Sequence, residues 1–496
     1  MHLSKSKYCL FVQCPKLLWL DTYHKELKTE STSLDDRMTA GNEIGDLAMG
    51  LFGAFTEVTV LKEDGSPDIP AMIERTQQCI SGGVENICEA SFSCDGLYCA
   101  VDILRRQDGG YAIYEVKSST HAQPQYATDI AYQKYILEKC GIKISGTYLI
   151  CIDPAYVRGD ELDIHQLFQI IDMAETVEPE YAKVEERLHQ AEEMFACPAE
   201  PPVDIGEHCE TPYHCPYWEY CARMLPQPSV FDLYRMSLKK KVEHYKKGIV
   251  SFADMQAVKL NDKQKRQIDH ALNDRPDHID EKGIRNFLNT LSYPIYFLDF
   301  ETMQPALPLF PGTKPYAQIP FQYSLHYIEE EGGELKHKEF LAVSGEDPRR
   351  SIAESLCRDI PADACVTAYN KAFECSRLKE LAEQYPDLAE HLLSIQEHII
   401  DLLNPFQGGC YYNRAMGGSF SIKSVLPALY PDDPSLDYHN LEGVHNGSEA
   451  MAIFPKIKDM PPEEQAEARK NLLKYCELDT YAMVKVWEAL KKAANI

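Results

Sequence analysis

The sequence predicts an α/β protein with more than one domain. At 496 residues the chain is too long for a single ordinary domain. Short apolar runs alternate with helical patterns in two stretches, and a lysine-rich stretch with few strand signals lies between them. We therefore divide the chain into an α/β domain at 1–226, a helical connector at 227–288 and a second α/β domain at 289–496.

Composition limits the class of protein. Hydrophobic residues make up 44% of the chain, which is enough for packed cores, but no apolar run is long enough to cross a bilayer. The N-terminus lacks the apolar core and cleavage site of a signal peptide. The 17 cysteines are spread too thinly for a secreted disulfide scaffold. We expect a cytoplasmic protein without a membrane partner.

The first domain alternates predicted strands and helices. A turn signal, Asp108-Gly109-Gly110, joins the second and third strands into a hairpin. The predicted strands are 86–93, 97–105, 111–117 and 145–152, and the predicted helices are 36–53, 126–140 and 176–196. A proline- and cysteine-rich segment, 198–226, closes this domain.

The predicted hairpin carries a group of charged residues. Glu115 and Lys117 are two residues apart on one strand, so their side chains share a face. Pairing across the hairpin can bring Asp102 beside them. Exposed strand charges are the usual explanation of such a pattern, but here the acids interrupt apolar strands. Two carboxylates and a lysine can hold a divalent cation and activate a water molecule.

This arrangement resembles the RecB-like branch of the PD-(D/E)XK nucleases. The resemblance implies a restriction-endonuclease-like core with catalytic roles for Asp102, Glu115 and Lys117. It also implies a role for Gln133, which lies on the following helix. The family places a histidine or an acid after a glycine on an early helix. Here Glu43 is the candidate metal ligand at that position, because no histidine is present.

Four cysteines have the spacing of a metal site. Cys209, Cys215 and Cys221 are separated by five residues each in a proline- and aromatic-rich segment, and Cys14 lies far upstream. This layout resembles the iron–sulfur type of RecB-like nuclease, which includes CRISPR-associated and AddB-like enzymes. The resemblance implies a structural [4Fe–4S] cluster held by four thiolates. Zinc is the alternative ion for the same ligands.

The connector is basic within an acidic chain whose net charge is −27. Its lysines are Lys239, Lys240, Lys241, Lys246 and Lys247. A solvated helical linker is one interpretation of this segment. The other is a surface that binds nucleic-acid phosphates, which an otherwise acidic protein would need locally.

The second domain begins with a buried strand at 293–300. Further strands are predicted at 321–327, 340–343 and 365–369, a helix begins at Lys371, and an amphipathic helix at 463–492 ends the domain. Asp299 and Glu301 project from one face of the first strand, where burial is costly unless cations balance the charges. Tyr475 and Asp479 are one helical turn apart and share a face of the last helix.

These residues resemble the motifs of the DEDD exonucleases, in the branch that carries a tyrosine. The second motif matches Asn370 to Glu374, with glutamate in place of aspartate. The resemblance implies an RNase H-like domain in which four carboxylates hold two Mg²⁺ or Mn²⁺ ions and Tyr475 orients a water molecule. The four acids are Asp299, Glu301, Glu374 and Asp479. Asp401 either supports these acids or caps a helix.

Together the resemblances imply a metal-dependent nuclease with two active sites. We expect it to act on nucleic acid, DNA rather than RNA, at single-stranded ends in repair or defence. One alternative is a 3′ exonuclease of RNA or DNA in which only the C-terminal site is active. The other alternative is a nucleic-acid-binding scaffold in which both sites have decayed.

Overall fold

We describe a computed structural model of the chain, which covers residues 3–29, 33–197 and 199–496. Residue 198, the first of the predicted cysteine-rich segment, lies outside the described residues. The chain forms two compact units. Unit 1 comprises Met1–Met224 and Ala306–Tyr316, and unit 2 comprises Leu225–Pro305 and Ala317–Ile496.

This division differs from the predicted one in two ways. The helical connector is part of unit 2 rather than a separate body. The segment Ala306–Tyr316 comes from the predicted second domain but belongs to unit 1. Backbone hydrogen bonds join it to Arg158, whose N–H donates to Thr313 O at 3.0 Å and whose carbonyl accepts from Gly312 N at 2.8 Å. Such long-range pairing leaves no periodic signal in the sequence.

Unit 1 combines one sheet with nine helices among its described residues. The helices are α1 (Lys5–Gln13), α2 (Pro15–Tyr23), α3 (Ser33–Met49), α4 (Ile69–Ser81), α5 (Pro124–Lys139), α6 (Ile164–Leu167), α7 (Ala174–Tyr181), α8 (Val184–Ala196) and α9 (Trp218–Ala222). The strands are β1 (Leu3–Ser4), β2 (Thr56–Glu57), β3 (Asn86–Cys94), β4 (Leu97–Gln107), β5 (Gly110–Lys117), β6 (Ile144–Ile152) and β7 (Phe168–Asp172).

The strands of unit 1 run in the order β2-β3-β4-β5-β6-β7, and β1 pairs with β4. The predicted hairpin is confirmed, because β4 and β5 are antiparallel, whereas β5 and β6 are parallel and α5 connects them. Helix α3 buries Ile44 and Ala48 in one core cluster with Ile103 and Tyr114. The side chains of the neighbouring residues in β4 and β5 therefore face the opposite side of the sheet.

Unit 2 contains the remaining helices and strands. The helices are α10 (Leu238–Lys246), α11 (Phe252–Met255), α12 (Asp262–Asn273), α13 (Glu281–Leu288), α14 (Arg349–Asp359), α15 (Ala372–Gln384), α16 (Ala389–Glu397), α17 (Asn404–Gly408), α18 (Ile422–Leu429), α19 (Gly447–Ile453) and α20 (Pro462–Ala493). The strands are β8 (His278–Ile279), β9 (Ile295–Met303), β10 (Ile319–Ile328), β11 (Lys336–Leu341), β12 (Cys365–Ala368), β13 (Ile399–Asp401) and β14 (Tyr411–Tyr412).

The main sheet of unit 2 has the order β11-β10-β9-β12-β13, with β9 at its centre. The strands β11, β10 and β9 are antiparallel to their neighbours, and β9, β12 and β13 are parallel. Tyr296, Leu298 and Phe300 of β9 lie in the core on one face. Helix α20 packs on the other face, where Trp487 contacts Phe297 with ring centroids 5.8 Å apart.

The main predicted strands and the C-terminal helix are confirmed. Strong period-2 and period-3.6 patterns are set by burial on one face and can be read locally. The predicted helix 176–196 is divided into α7 and α8, and Pro179 lies inside α7. The short strands β7 and β13 were not predicted, since few residues carry their pattern. No helix in the described part of the chain has the length and apolarity needed to span a membrane.

Candidate functional site

Strand β9 presents two acids to α20. The alternation that buries Leu298 and Phe300 in the core turns Asp299 and Glu301 to the other face. Asp299 pairs with Ser324 and Glu301 pairs with Gln322 on β10, so the two carboxylates lie above the middle of the sheet. Glu301 is buried, and Asp299 is half-buried.

Helix α20 brings a third carboxylate to this face. Asp479 is buried, and its Oδ1 accepts a hydrogen bond of 2.7 Å from the hydroxyl of Tyr438. Burial raises the pKa of Asp479 to about 6, although Tyr438, Lys423 and Tyr475 favour the ionised form. Burial and the charge of Asp479 also raise the pKa values of Asp299 and Glu301 well above their ordinary values. Asp479 therefore faces the same side of the sheet as Asp299 and Glu301 and influences both of them.

Glu374 is the fourth acid of the cluster. It lies in the first turn of α15 with 3% of its surface exposed, and its Oε2 has no hydrogen-bond partner. Burial raises the pKa of Glu374 to about 7. Its charge contributes to the raised pKa of Asp299. A buried carboxylate oxygen without a hydrogen-bond partner lowers the stability of the folded state. A bound cation would supply the missing partner.

Three residues near the acids were missed in the sequence. Lys423 of α18 places its Nζ 5.1 Å from the ring centroid of Tyr438 and 5.6 Å from that of Tyr475. The charge of Lys423 opposes the rise in the pKa values of Asp299, Glu301 and Asp479. Cys476 offers a sulfur that lies within 4.8 Å of carboxylate oxygens of Asp299 and Glu301. Their sequence neighbours carry no motif, so no local signal marked Lys423 or Tyr438.

Asp401 holds the backbone before α15 in place through hydrogen bonds. Its Oδ1 accepts hydrogen bonds of 2.9 Å from the backbone N–H groups of Asn370 and Leu403, and its Oδ2 accepts one of 3.2 Å from that of Lys371. Asn370 has a φ of +65°, a conformation that asparagine tolerates better than most residues. Asp401 therefore fixes the turn that leads into α15 and carries Glu374 toward the other acids.

A second charged cluster lies in unit 1 around Glu115. Glu115 is 1% exposed, and it accepts hydrogen bonds from Lys5 at 2.8 Å, from Lys117 at 2.7 Å and from Gln133. Burial opposes its ionisation, but Lys117 and Lys5 hold the pKa of Glu115 well below its ordinary value. Lys5 was not predicted, because it is 110 residues away in the sequence. Pairing of β1 with β4 brings it here.

The remaining acids of this cluster lie across the hairpin. Asp102 accepts a hydrogen bond of 2.6 Å from the backbone N–H of Val116. Burial and Glu115 raise the pKa of Asp102 to about 6. Glu89 lies on β3 between Cys88 and Ala90, which pair with Ile103 and Val101 on either side of Asp102, and it has a φ of +57°. Burial and Asp102 raise the pKa of Glu89 to about 7. Like charges opposite each other are destabilising unless a cation lies between them.

The structure does not support the placement of Glu43 in this cluster. Glu43 is exposed on α3. Helix α3 packs on Ile103 and Tyr114, whose face of the sheet is opposite to that of Asp102 and Glu115. Glu89 supplies the additional acid instead. The sequence pattern of β3 did not indicate a role for Glu89, because its irregular backbone conformation is set by tertiary packing.

The four predicted cysteines line one cavity in unit 1. Cys14 lies between α1 and α2, whereas Cys209, Cys215 and Cys221 come from the segment around α9. Burial raises the pKa of each thiol, in the case of Cys215 to about 12. Two sets of three possible metal-ligand atoms within 4.8 Å of one another occur among the described residues, and neither includes these thiols.

The predicted basic surface of α10 is only partly exposed. Lys239, Lys240, Lys246 and Lys247 are exposed. Lys241 instead donates a hydrogen bond to the carbonyl of Phe231, and this bond fastens α10 to the preceding turn. Periodicity placed all five lysines on a helix but did not distinguish the one whose ammonium group is used within the fold.

Comparison with known proteins gives relatives but no activity. A family described as "Domain of unknown function (DUF2779)" matches residues 296–421, a range that includes Asp299, Glu301 and Glu374 but not Tyr475 or Asp479. The chain is 26% identical over 220 residues to an uncharacterized protein of Mycoplasma genitalium, which covers 41% of this chain and 32% of that protein.

Two further relatives are similar at the same level. An uncharacterized homologue from Mycoplasma pneumoniae is 26% identical over 212 residues, which cover 39% of this chain and 31% of that protein. An uncharacterized protein of Ureaplasma parvum is 27% identical over 235 residues, which cover 42% of this chain and 32% of that protein. The chain therefore spans about a third of the length of the curated relatives it matches.

Proposed function

We propose that this chain is a metal-dependent nuclease whose main active site is the acid cluster of unit 2. The observation that carries the proposal is the convergence of four mostly buried carboxyl groups with Lys423 as the neighbouring cation. The acids are Asp299, Glu301, Glu374 and Asp479. A structural salt-bridge network would place a cation against each acid, but Glu374 Oε2 has no partner.

The residues fit divalent cations. Carboxylate oxygens are the ligands that Mg²⁺ and Mn²⁺ prefer. Burial keeps the acids partly protonated in the metal-free protein, and a bound cation would replace those protons. When bound, such cations would polarise a phosphodiester and lower the pKa of an attacking water molecule. The four carboxylates would hold them, and Cys476 lies close enough to limit the room around Asp299.

The chain's own residues have separate tasks in this proposal. Tyr475 lies beside Asp479 and would orient the attacking water through its hydroxyl. Lys423, whose Nζ lies near Tyr438 and Tyr475, would bind a non-bridging phosphate oxygen. In the hydrolysis, the water oxygen bonds to phosphorus and the bond to the leaving sugar oxygen breaks. By resemblance to DEDD exonucleases, we propose cleavage from the 3′ end of a strand.

The N-terminal cluster is proposed as a second nuclease site of the RecB-like type. Asp102, Glu115 and Glu89 would hold its divalent cation, and Lys117 would contact the phosphate. One observation favours the alternative in which only the C-terminal site is active. Lys5 and Lys117 already neutralise Glu115, so this acid does not need a cation to be stable.

We propose that the four cysteines hold a [4Fe–4S] cluster. The sulfur ligands of a single Zn²⁺ lie about 2.3 Å from the ion and hence within about 4 Å of one another. The thiols of Cys14, Cys209, Cys215 and Cys221 line one cavity but do not reach that spacing in any set of three. A cluster with one thiolate on each iron spans a wider ligand set. The exposed lysines of α10 are proposed to contact nucleic-acid phosphates.

The proposal is tested with the full chain on end-labelled single- and double-stranded DNA and RNA. We expect shortening of a strand in Mg²⁺ or Mn²⁺, none in EDTA, and DNA as the better substrate. Asp432→Asn, an exposed acid of the same unit, is the matched control for variants of the cluster. A folded, Mn²⁺-loaded protein that leaves all four substrates intact would contradict the proposal.

A further inference from the structure

A second group of metal-ligand side chains lies in unit 2 and includes none of the four acids. His326 of β10 and His337 of β11 are directly opposite each other in the antiparallel pairing, and their ring centroids are 4.5 Å apart. Glu477 of α20 lies beside them. One ligand atom from each of the three residues lies within 4.8 Å of the other two. Two imidazoles and a carboxylate are a ligand set that Zn²⁺ accepts in proteins.

A chain of hydrogen bonds links the two rings through Ser324 and Thr480. When the Thr480 hydroxyl donates to the carbonyl oxygen of Glu477 at 3.1 Å, its oxygen accepts from its other neighbours. Those neighbours are the Ser324 hydroxyl at 2.7 Å and His326 Nδ1 at 2.8 Å. In the same arrangement the Ser324 hydroxyl donates to Thr480, so the Ser324 oxygen accepts from His337 Nε2 at 2.9 Å.

This network leaves one lone pair free on each imidazole. In this arrangement His326 carries its proton on Nδ1 and keeps a lone pair on Nε2, and His337 carries its proton on Nε2 and keeps one on Nδ1. Histidine ligands of metals usually donate their other N–H to a hydrogen-bond acceptor, as both rings do here.

We infer that His326, His337 and Glu477 form a binding site for a single Zn²⁺-like transition-metal ion. The ligand atoms of such an ion lie about 2 Å from it and at most about 4 Å apart, a spacing that small side-chain rotations reach from the present one. Three protein ligands leave a coordination position for water. Glu339 lies two residues from His337 on the same strand face, where its charge would favour a cation.

The bound ion would fasten α20 to the edge of the sheet formed by β10 and β11. Glu477 lies between Tyr475 and Asp479 in sequence, but residues two apart on a helix point about 200° away from each other. The ion would therefore set the position of Tyr475 and Asp479 from the other side of the helix without contacting the proposed catalytic cations. This consequence rests on the proposed function, whereas the metal site itself does not.

The test measures Zn²⁺ binding by the full chain without any nucleic acid. After chelation and dialysis, wild type and variants are titrated with Zn²⁺ against a chromophoric chelator, and bound zinc is counted by elemental analysis. We expect His337→Ala and Glu477→Gln each to bind one Zn²⁺ fewer per chain, or to bind it at least tenfold more weakly. Zn²⁺ should raise the melting temperature of wild type more than that of either variant.

Matched controls separate this site from the other candidate metal sites. His398→Ala removes an exposed histidine of the same unit, and Glu467→Gln removes an exposed acid of the same helix, so both should bind Zn²⁺ as wild type does. If His337→Ala lowers the melting temperature without zinc, its loss of zinc binding could reflect damage to the fold. The Glu477→Gln variant then decides whether the site exists, because the Glu477 side chain is exposed and its replacement does not disturb the core. Equal zinc counts and affinities in wild type and Glu477→Gln would overturn the inference. A protein that binds Zn²⁺ here but cleaves nothing would contradict only the nuclease proposal.

Discussion

At the scale of single residues, the clearest feature is the energetic conflict within the acid cluster of unit 2. Asp299, Glu301, Glu374 and Asp479 all have raised pKa values because burial disfavours their ionised forms, and the charge of Asp479 adds to the effect at Asp299 and Glu301. Such an arrangement lowers the stability of the metal-free protein. It is retained at functional sites because the same charges bind cations strongly.

Asp299 is the first residue to test. Asp299→Asn should lower nuclease activity by at least about a hundredfold, or about 2.7 kcal/mol in the activation free energy, because it removes a carboxylate at the centre of the cluster. The same change should raise the melting temperature of the metal-free protein at pH 8, since it removes like-charge repulsion. Activity assays and thermal unfolding check the two effects together. A variant that keeps wild-type activity would exclude Asp299 from catalysis.

Stability should depend on pH in a direction set by the raised pKa values. Folding raises the pKa of Glu374 to about 7 and that of Asp479 to about 6, so the folded state binds protons more tightly than the unfolded state. Their contribution is complete below about pH 4, the ordinary carboxyl pKa, and is lost as the pH rises through 6–7. The melting temperature of metal-free protein should fall over this range.

The melting temperature should also be measured against pH in the presence of a divalent cation. Mn²⁺ competes with protons for the carboxylates, so its stabilising effect should be larger at pH 8 than at pH 5. Glu374→Gln should reduce both the pH dependence and the effect of Mn²⁺. If Mn²⁺ shifts the melting temperature equally at both pH values, the acids that bind it are not the ones with raised pKa values.

At the scale of secondary structure, α20 connects the two candidate sites of unit 2. One part of its surface carries Tyr475 and Asp479 toward β9, and another carries Glu477 and Thr480 toward His326. The helix can do this because it lies across both β9 and β10. Its position therefore affects the proposed catalytic acids and the proposed zinc site together.

The hydroxyl of Tyr475 can be removed without changing any metal ligand. Tyr475→Phe should lower kcat about tenfold to a hundredfold, in the range of one water-orienting or proton-transfer group. It should weaken Mn²⁺ binding much less, because it removes a hydrogen bond to Asp479 but no metal ligand. Single-turnover kinetics and Mn²⁺ titration measure the two quantities. A loss as large as that of Asp299→Asn would mean that Tyr475 does more than orient water.

The proposed iron–sulfur cluster would connect the segment around α9 to the N-terminal helices through its four cysteines. Anaerobically purified protein should be brown and contain iron and acid-labile sulfide, because four thiolates bind a [4Fe–4S] cluster. Cys215→Ser should remove the colour and lower the stability of unit 1, whereas Cys197→Ser, at an exposed cysteine of the same unit, should change neither. A colourless wild-type protein with stoichiometric zinc would overturn the cluster and support the zinc alternative.

At the scale of the whole molecule, the two acid clusters differ in how their charge is balanced. In unit 1, Lys5 and Lys117 form ion pairs with Glu115 at 2.8 and 2.7 Å. In unit 2, Lys423 lies near the acids, and Glu374 keeps an unpartnered oxygen. Unit 2 therefore depends more strongly on bound cations, and chelation should destabilise it more than unit 1.

Comparison of Asp102→Asn with Asp299→Asn tests whether both units are active. If both units cleave, each variant should lose a different set of products on end-labelled DNA, and the double variant should lose all of them. Lys117→Gln should follow Asp102→Asn. If Asp299→Asn alone abolishes every product and Asp102→Asn none, the N-terminal cluster is not catalytic, as its internal ion pairs would allow.

The sequence alone determined the features that depend on local periodicity. Alternation within β9 separated Leu298 from Asp299, and helical spacing put Tyr475 and Asp479 on one face of α20. The β4–β5 hairpin likewise followed from its turn signal and brought Asp102 and Glu115 together. Each of these features is fixed by residues that are close in the chain, so the sequence pattern is sufficient.

The tertiary structure alone decided which distant residues join those features. Lys5 reaches Glu115 because β1 pairs with β4, and Glu43 is excluded because α3 covers the opposite face of the sheet. His326 and Glu477 are 151 positions apart in the sequence and meet only where α20 crosses β10. Such contacts are set by the burial of whole faces against one another. That packing depends on the complete fold and leaves no periodic signal at the residues it brings together.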